Sequence, residues 1–185
     1  MKKYLLIVLA FTALASTAVA QNGAKNKKAA PPASETYSLP GFRDILWGTH
    51  IDSVFVDGVK LTFEKSTQYS DKSKNAYFIA NDDMMVGTVL LKTLYYVFNN
   101  NDRFIGVIMT GESKQFGEMK YILLNKFGQP TKEEDAVSGK QYYWNIDDVR
   151  ISLVNESINQ LFTVDFTSDY ELSESKKVNR NVDDF

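Results

Sequence analysis

The sequence predicts an α+β fold, an antiparallel sheet with helices packed on one face. Three observations point to it: helical spacing of apolar residues over Phe116–Phe127, strict apolar–polar alternation in several short segments, and tight turns joining those segments in place of long crossovers. The chain has 185 residues, 44% of them hydrophobic and 13% aromatic. That suits one domain with a real core plus tails, and it argues against wholesale disorder.

The N-terminus has the layout of a secretory leader. Lys2 and Lys3 form a basic start, Tyr4 to Leu14 is an apolar run too short to span a bilayer, and Ala18-Val19-Ala20 is an A-x-A cleavage site. Residues 1–20 are therefore expected to be a signal peptide, cut after Ala20. Residues 21–36, which open QNGAKNKKAAPPAS, read as a flexible linker whose Lys25, Lys27 and Lys28 are solvated. The folded domain is expected over 37–169. Residues 170–185 form a charged tail, either disordered or a short helix.

Within the domain, Thr49 is placed to cap a short helix, with Asp52 three residues on as in a capping box. Ile51, Val54 and Phe55 would share its buried face, and Asp57-Gly58 would end it. Val59, Leu61 and Phe63 alternate with polar residues as in a half-buried strand. Ala76–Ala80 and Val86–Phe98 follow as strands, and a turn at Asn99–Asp102 leads to a returning strand, Phe104–Met109. Ser113 is placed to cap a second helix. Phe116, Met119, Leu123 and Phe127 line one side of it, and Gly128 and Pro130 stop it. Three strands close the domain, burying Tyr142, Trp144 and Ile146, then Val149, Ile151 and Leu153, then Phe162, Val164 and Phe166. Both halves thus read as helix then meander, about 65 residues apart, which suggests two copies of one unit.

Composition narrows the chemistry. There is no cysteine, so export brings no disulfides, no thiol nucleophile and no lipobox anchor. The net charge is −2, and removing the two charges of Lys2 and Lys3 takes the mature chain to −4. No basic block offers the footprint of a nucleic-acid binder. No second apolar run reaches ~18 residues, so the mature chain is expected to be soluble, periplasmic or secreted, with no membrane span.

Phe42-Arg43, Trp47-Gly48 and Val54, then Leu94-x-Tyr96-x-Phe98, Phe104, Lys126-Phe127-Gly128-x-Pro130 and Tyr143-Trp144 form a wider pattern. It resembles a group of small exported proteins of Gram-negative bacteria, over most of residues 40–168. The helix-then-meander layout is similar to the β-lactamase-inhibitor-protein-like fold, shared with small outer-membrane assembly lipoproteins. The anchoring cysteine of those lipoproteins is missing here. The resemblance implies action by presenting a sheet or loop surface to another protein, and it brings no catalytic residues.

No catalytic, cofactor or metal site is expected. His50 is the only histidine and falls in the first turn of the predicted helix, where the dipole opposes protonation. One histidine is thin for zinc, and the acidic turns Asp82-Asp83, Asn99–Asp102 and Asp147-Asp148 do not fit a calcium loop. They read as ordinary turns. Glu133, Glu134 and Asp135 read as an exposed edge with no second acid placed opposite them. Asp52-Ser53-Val54 resembles a short bacterial O-glycosylation acceptor. Phe185 ends the chain as barrel proteins do, but without their alternating approach.

The aromatic residues say more. Tyr95 and Tyr143 fall on the opposite register from Tyr96 and Trp144, and Val97 and Arg150 share that outward register. A sheet face bearing Tyr and Arg suits a partner surface. The expectation is a non-enzymatic binding module for an envelope protein, with polysaccharide or a small apolar ligand as other partners. The alternative is a small hydrolase using carboxylates on an envelope polymer.

Overall fold

A computed structural model describes residues 39–136, 139–156 and 158–170. The expected signal peptide and linker, with Lys25, Lys27 and Lys28, and all of the tail beyond Tyr170, including Phe185, lie outside the described residues. The strands in chain order are β1 (Gly41–Phe42), β2 (Ile45–Leu46), β3 (Phe55–Val56), β4 (Val59–Lys60), β5 (Phe63–Ser66), β6 (Lys74–Ile79), β7 (Met85–Val86), β8 (Val89–Asn99) and β9 (Phe104–Glu112). Helix α1 (Phe116–Phe127) follows, then β10 (Lys132–Ala136), β11 (Gly139–Ile146), β12 (Val149–Glu156) and β13 (Leu161–Ser168).

The fold is dominated by one nine-stranded antiparallel sheet in the order β10-β11-β12-β13-β9-β8-β6-β5, with β7 added beside β8. Among the described residues strand makes up 55% and helix 15%, so the expected helix-packed α+β fold is incorrect. Two meanders, β5–β9 and β10–β13, abut through β9 and β13. Helix α1 carries the chain across one face of the sheet from β9, in the middle, to β10, at the edge. Its buried Met119, Leu123 and Phe127 lie on that face, with Phe127 against Phe166 and Phe116 against Tyr142.

The core is a set of rows running across the strands. Tyr96, Val107, Phe166, Ile151 and Trp144 stand opposite one another in register, all buried. Leu94, Met109, Val164, Leu153 and Tyr142 form the next row. Each large apolar side chain so buried contributes about 1.5–3 kcal/mol. Trp144 also donates its indole N–H to the Gly128 carbonyl at 2.9 Å, locking the end of α1 to β11. Gly128 ends the helix as expected: its φ is +75° and its N–H closes on Leu124 O at 2.9 Å.

The predicted first helix does not form. Only a single 3₁₀ turn, Ile51–Ser53, is present. Its backbone is committed elsewhere: Gly48 N–H donates to Phe104 O at 2.8 Å, Phe104 N–H to Thr49 O at 2.9 Å, and Ile51 N–H to Asp102 O at 2.9 Å. The Thr49 carbonyl, which would accept the first bond of a helix capped there, is taken by Phe104, and the bonds of Gly48 and Ile51 pin the segment in place against the β8–β9 turn. The cap is His50, not Thr49, and its Nδ1 accepts from Asp52 N–H at 3.2 Å. With a helix ahead of only one meander, the helix-then-meander unit does not occur twice.

Other boundaries differ as well. Ser113 turns its hydroxyl to Asn155 Oδ1, 2.9 Å away, and gives α1 no side-chain cap. The Val86–Phe98 strand is broken by a hairpin at Gly87-Thr88. Gly87 has φ +58°, and its hairpin reaches α1, where Thr88 bonds Glu118.

Candidate functional site

The face of the sheet opposite α1 carries the expected partner residues in three registered rows. Tyr95, Ile108, Asp165, Ser152, Tyr143 and Lys132 form the central row, one residue from each of six adjacent strands. Tyr95 and Tyr143 are therefore four strand spacings apart, about 19 Å. Arg150 stands opposite Thr167 in a flanking row that also holds Val97 and Gly106. A third row carries Thr93, Thr110, Thr163, Val154, Gln141 and Glu134. All three predicted residues thus share one face, although Tyr95 and Tyr143 do not touch.

Each has a defined environment. Tyr143 is half-buried and donates to Gln141 Oε1 at 2.5 Å; its own burial and the Glu134 carboxylate push its phenol above the ordinary value. Arg150 is exposed and pairs with Asp169 at 3.2 Å. Tyr95 donates to Gln68 Oε1 at 3.0 Å and packs against Tyr69, with ring centroids 5.1 Å apart. Tyr69 and Gln68 belong to the β5–β6 connection, which folds over this face. Sequence alternation does not reveal them, because a loop has no register. Burial raises the Tyr69 pKa, and the charge of Glu156 adds to it.

A second region lies where β6 gives way to β7. Tyr77 pairs with Tyr96 and Met85 with Leu90, so eight residue steps on one side face six on the other. The surplus is looped out around Asn81, at φ +60°, and Asp82. A bulge of this kind re-aims a side chain. Asp82 is turned toward the core face, where Oδ1 accepts from Arg43 at 2.5 Å and Oδ2 accepts from the Tyr96 hydroxyl at 2.9 Å. Arg43, at φ +52° in the β1–β2 turn, also donates to the Asp83 carbonyl. Burial pushes the Tyr96 phenol well above 10.0, so it stays protonated. Two hollows flank the bulge and share Ile79 and Asp82. One, of about 250 Å³, opens beside Tyr95; the other, of about 270 Å³, lies between Arg43, Val56 and Tyr96.

Asp82 accepts from Arg43, from the Tyr96 hydroxyl and from the Asp83 N–H, which makes the cluster a clamp joining the β1–β2 turn, the bulge and β8. The Asn99–Asp102 turn bonds its own backbone: Asn99 Oδ1 accepts from Asn101 and Arg103 N–H, both at 2.9 Å. Glu133 and Glu134 sit on edge strand β10 beside Lys140 and Lys132. Among the described residues no group of three or more His, Cys, Asp or Glu is placed to hold a metal ion. Ser53, in the Asp52-Ser53-Val54 motif, is exposed at the end of the 3₁₀ turn. Among the described residues no helix is long and apolar enough to cross a membrane. Compared with known proteins, the chain matches no family model, no curated protein and no solved structure.

Proposed function

We propose that this chain is an exported binding module that presents the outer face of its sheet to an envelope protein. The observation that carries the reading is the placement of Tyr95, Tyr143 and Arg150 on one face spanning six strands, while α1 and the N-terminal hairpins occupy the other. Tyr and Arg suit such a surface: the rigid Tyr ring buries much area while losing little entropy, and the planar Arg fork makes several hydrogen bonds across the interface. The leader pattern of residues 1–20 supports the location.

The test is affinity capture from an envelope fraction, with the chain beginning at Gln21 as bait. Tyr143→Ala and Tyr95→Ala are expected to deplete the captured protein, each by about tenfold if it is a hot spot. Capture unaffected by both substitutions would remove the basis of the reading. Capture of a polysaccharide in place of a protein would redirect it.

A further inference from the structure

We infer that the hollow beside Tyr95 is an anchor pocket for one large apolar side chain of the partner protein, carried next to a carboxylate. This deepens the reading of the outer face as the partner surface and rests on it. The pocket is a consequence of the bulge. With residues 80–83 looped out of line, β8 has a gap beside it, walled by Phe78, Ile79, Met84, Leu94 and Tyr95 and about 250 Å³ in volume.

Size and chemistry choose the occupant. Sites for whole small molecules or cofactors run to about 300–1,000 Å³, so this hollow suits a single side chain better. Its polar wall, Asp82, has both oxygens taken by Arg43 and Tyr96, and no buried side-chain nitrogen or oxygen among the described residues lacks a partner. A polar group entering past the Lys92 rim would meet mostly apolar walls and polar groups that already have partners, and would lose its hydration, whereas an apolar one gains. Met84 on the wall is adaptable in shape and adds favourable contact to an aromatic ring.

The rim supplies the charge preference. Lys92 is the extra residue at the β8 bulge, and its side chain is half exposed beside the pocket. Its partner Glu112, at 3.7 Å, is shared with the closer Lys114, leaving one positive charge in excess across the three. A carboxylate adjacent to the apolar anchor meets that excess, and a lysine or arginine there is repelled.

The test uses the full-length protein, isotopically labelled, and three short probes followed by amide chemical shifts. N-acetyl-Phe-Asp-amide is expected to move the amides of Phe78, Ile79 and Thr93–Tyr95 saturably. N-acetyl-Ala-Asp-amide should leave them in place, and N-acetyl-Phe-Lys-amide should bind more weakly. Lys92→Gln keeps the aliphatic stem and is expected to weaken the first probe by about two- to fivefold, the worth of one exposed ion pair. Met84→Phe fills the hollow and should abolish the shifts, with unchanged amide positions in β10–β13 as the check on folding. No localised shifts with the first probe, an equal response to the alanine probe, or undiminished binding by Met84→Phe would each overturn the pocket. An equal response to the lysine probe would overturn the carboxylate preference and with it the proposal as stated. Tyr143 is about 19 Å away, so a failed probe with capture still lost in Tyr143→Ala sinks this inference and leaves the partner surface standing.

Discussion

The two meanders that share this sheet have the same strand order and opposite regularity. From β10 to β13 every register is unbroken, and between Tyr142 and Phe166 the core side is apolar except for Asn155, opposite Phe162. From β5 to β9 the pairing slips between Leu91 and Thr93 and again between Val97 and Phe98, and the chain loops out around Asp82. The regular half holds its place by an unbroken ladder and a continuous apolar core. The irregular half gives up ladder bonds and recovers them through side chains, and it is where both hollows lie. Regularity builds a scaffold, while interruption of the ladder creates concavity and re-aims polar groups.

Several experiments would break or sharpen that contrast. The largest effect is expected from Trp144→Ala in the regular half. It deletes a side chain only 1% exposed and the bond to Gly128, at a cost of about 3–5 kcal/mol in urea unfolding. Asp82→Ala in the irregular half should cost less, about 1–3 kcal/mol, because it strands Arg43 and the Tyr96 hydroxyl without emptying the core. Hydrogen exchange should localise that loss to residues 77–97. Equal loss of protection throughout β10–β13 would show that the two halves are not separable in this way.

Tyr96→Phe removes two hydrogen bonds, one donated to Asp82 and one accepted from Arg43, but leaves those two paired with each other, and is expected to cost about 0.5–1.5 kcal/mol at neutral pH. It also changes the alkaline limb. The Tyr96 phenol holds its proton in the fold at a pH where an unfolded tyrosine, near 10.0, has begun to lose it. Unfolding therefore releases a proton there, so stability is intact below 10.0 and falls as pH rises beyond it. That slope should be shallower in Tyr96→Phe, with Tyr69, Tyr77 and Tyr143, also shifted upward, sustaining the remainder. An unchanged slope would mean the clamp does not hold the phenol neutral. The smallest effect is expected at the edge of the regular half. Lys132→Ala loses only an exposed pair with Glu134 and should leave the unfolding midpoint where it is.

The regular half was legible in the sequence because its signals are local. The period-2 alternation of Tyr142, Trp144 and Ile146 and the Gly128 stop do not depend on distant partners, and both appear as read. The same period put Tyr95 and Tyr143 on one face before any tertiary contact was considered. The irregular half was legible only in pieces. Asn81-Asp82-Asp83 reads as a turn, and nothing near it in sequence announces Arg43, 39 positions away, or Tyr96 as partners. The stretch from Thr49 to Asp57 reads as a helix because its own residues permit one, yet Phe104 and Asp102 take its backbone bonds.

By itself the sequence determined the absence of thiol chemistry, the leader-like start, helix α1, the closing strands and the inward or outward sense of the residues alternating along β11–β13. These follow from composition and from the 3.6- and 2-residue periods, which are properties of a chain segment alone. Only the tertiary structure decided that the described residues build a nine-stranded sheet crossed by helix α1, that β9 and β13 join the halves, and that a bulge opens a hollow beside Tyr95. Those outcomes depend on which backbone groups find partners across long separations, a competition in which local propensity is one contributor among several.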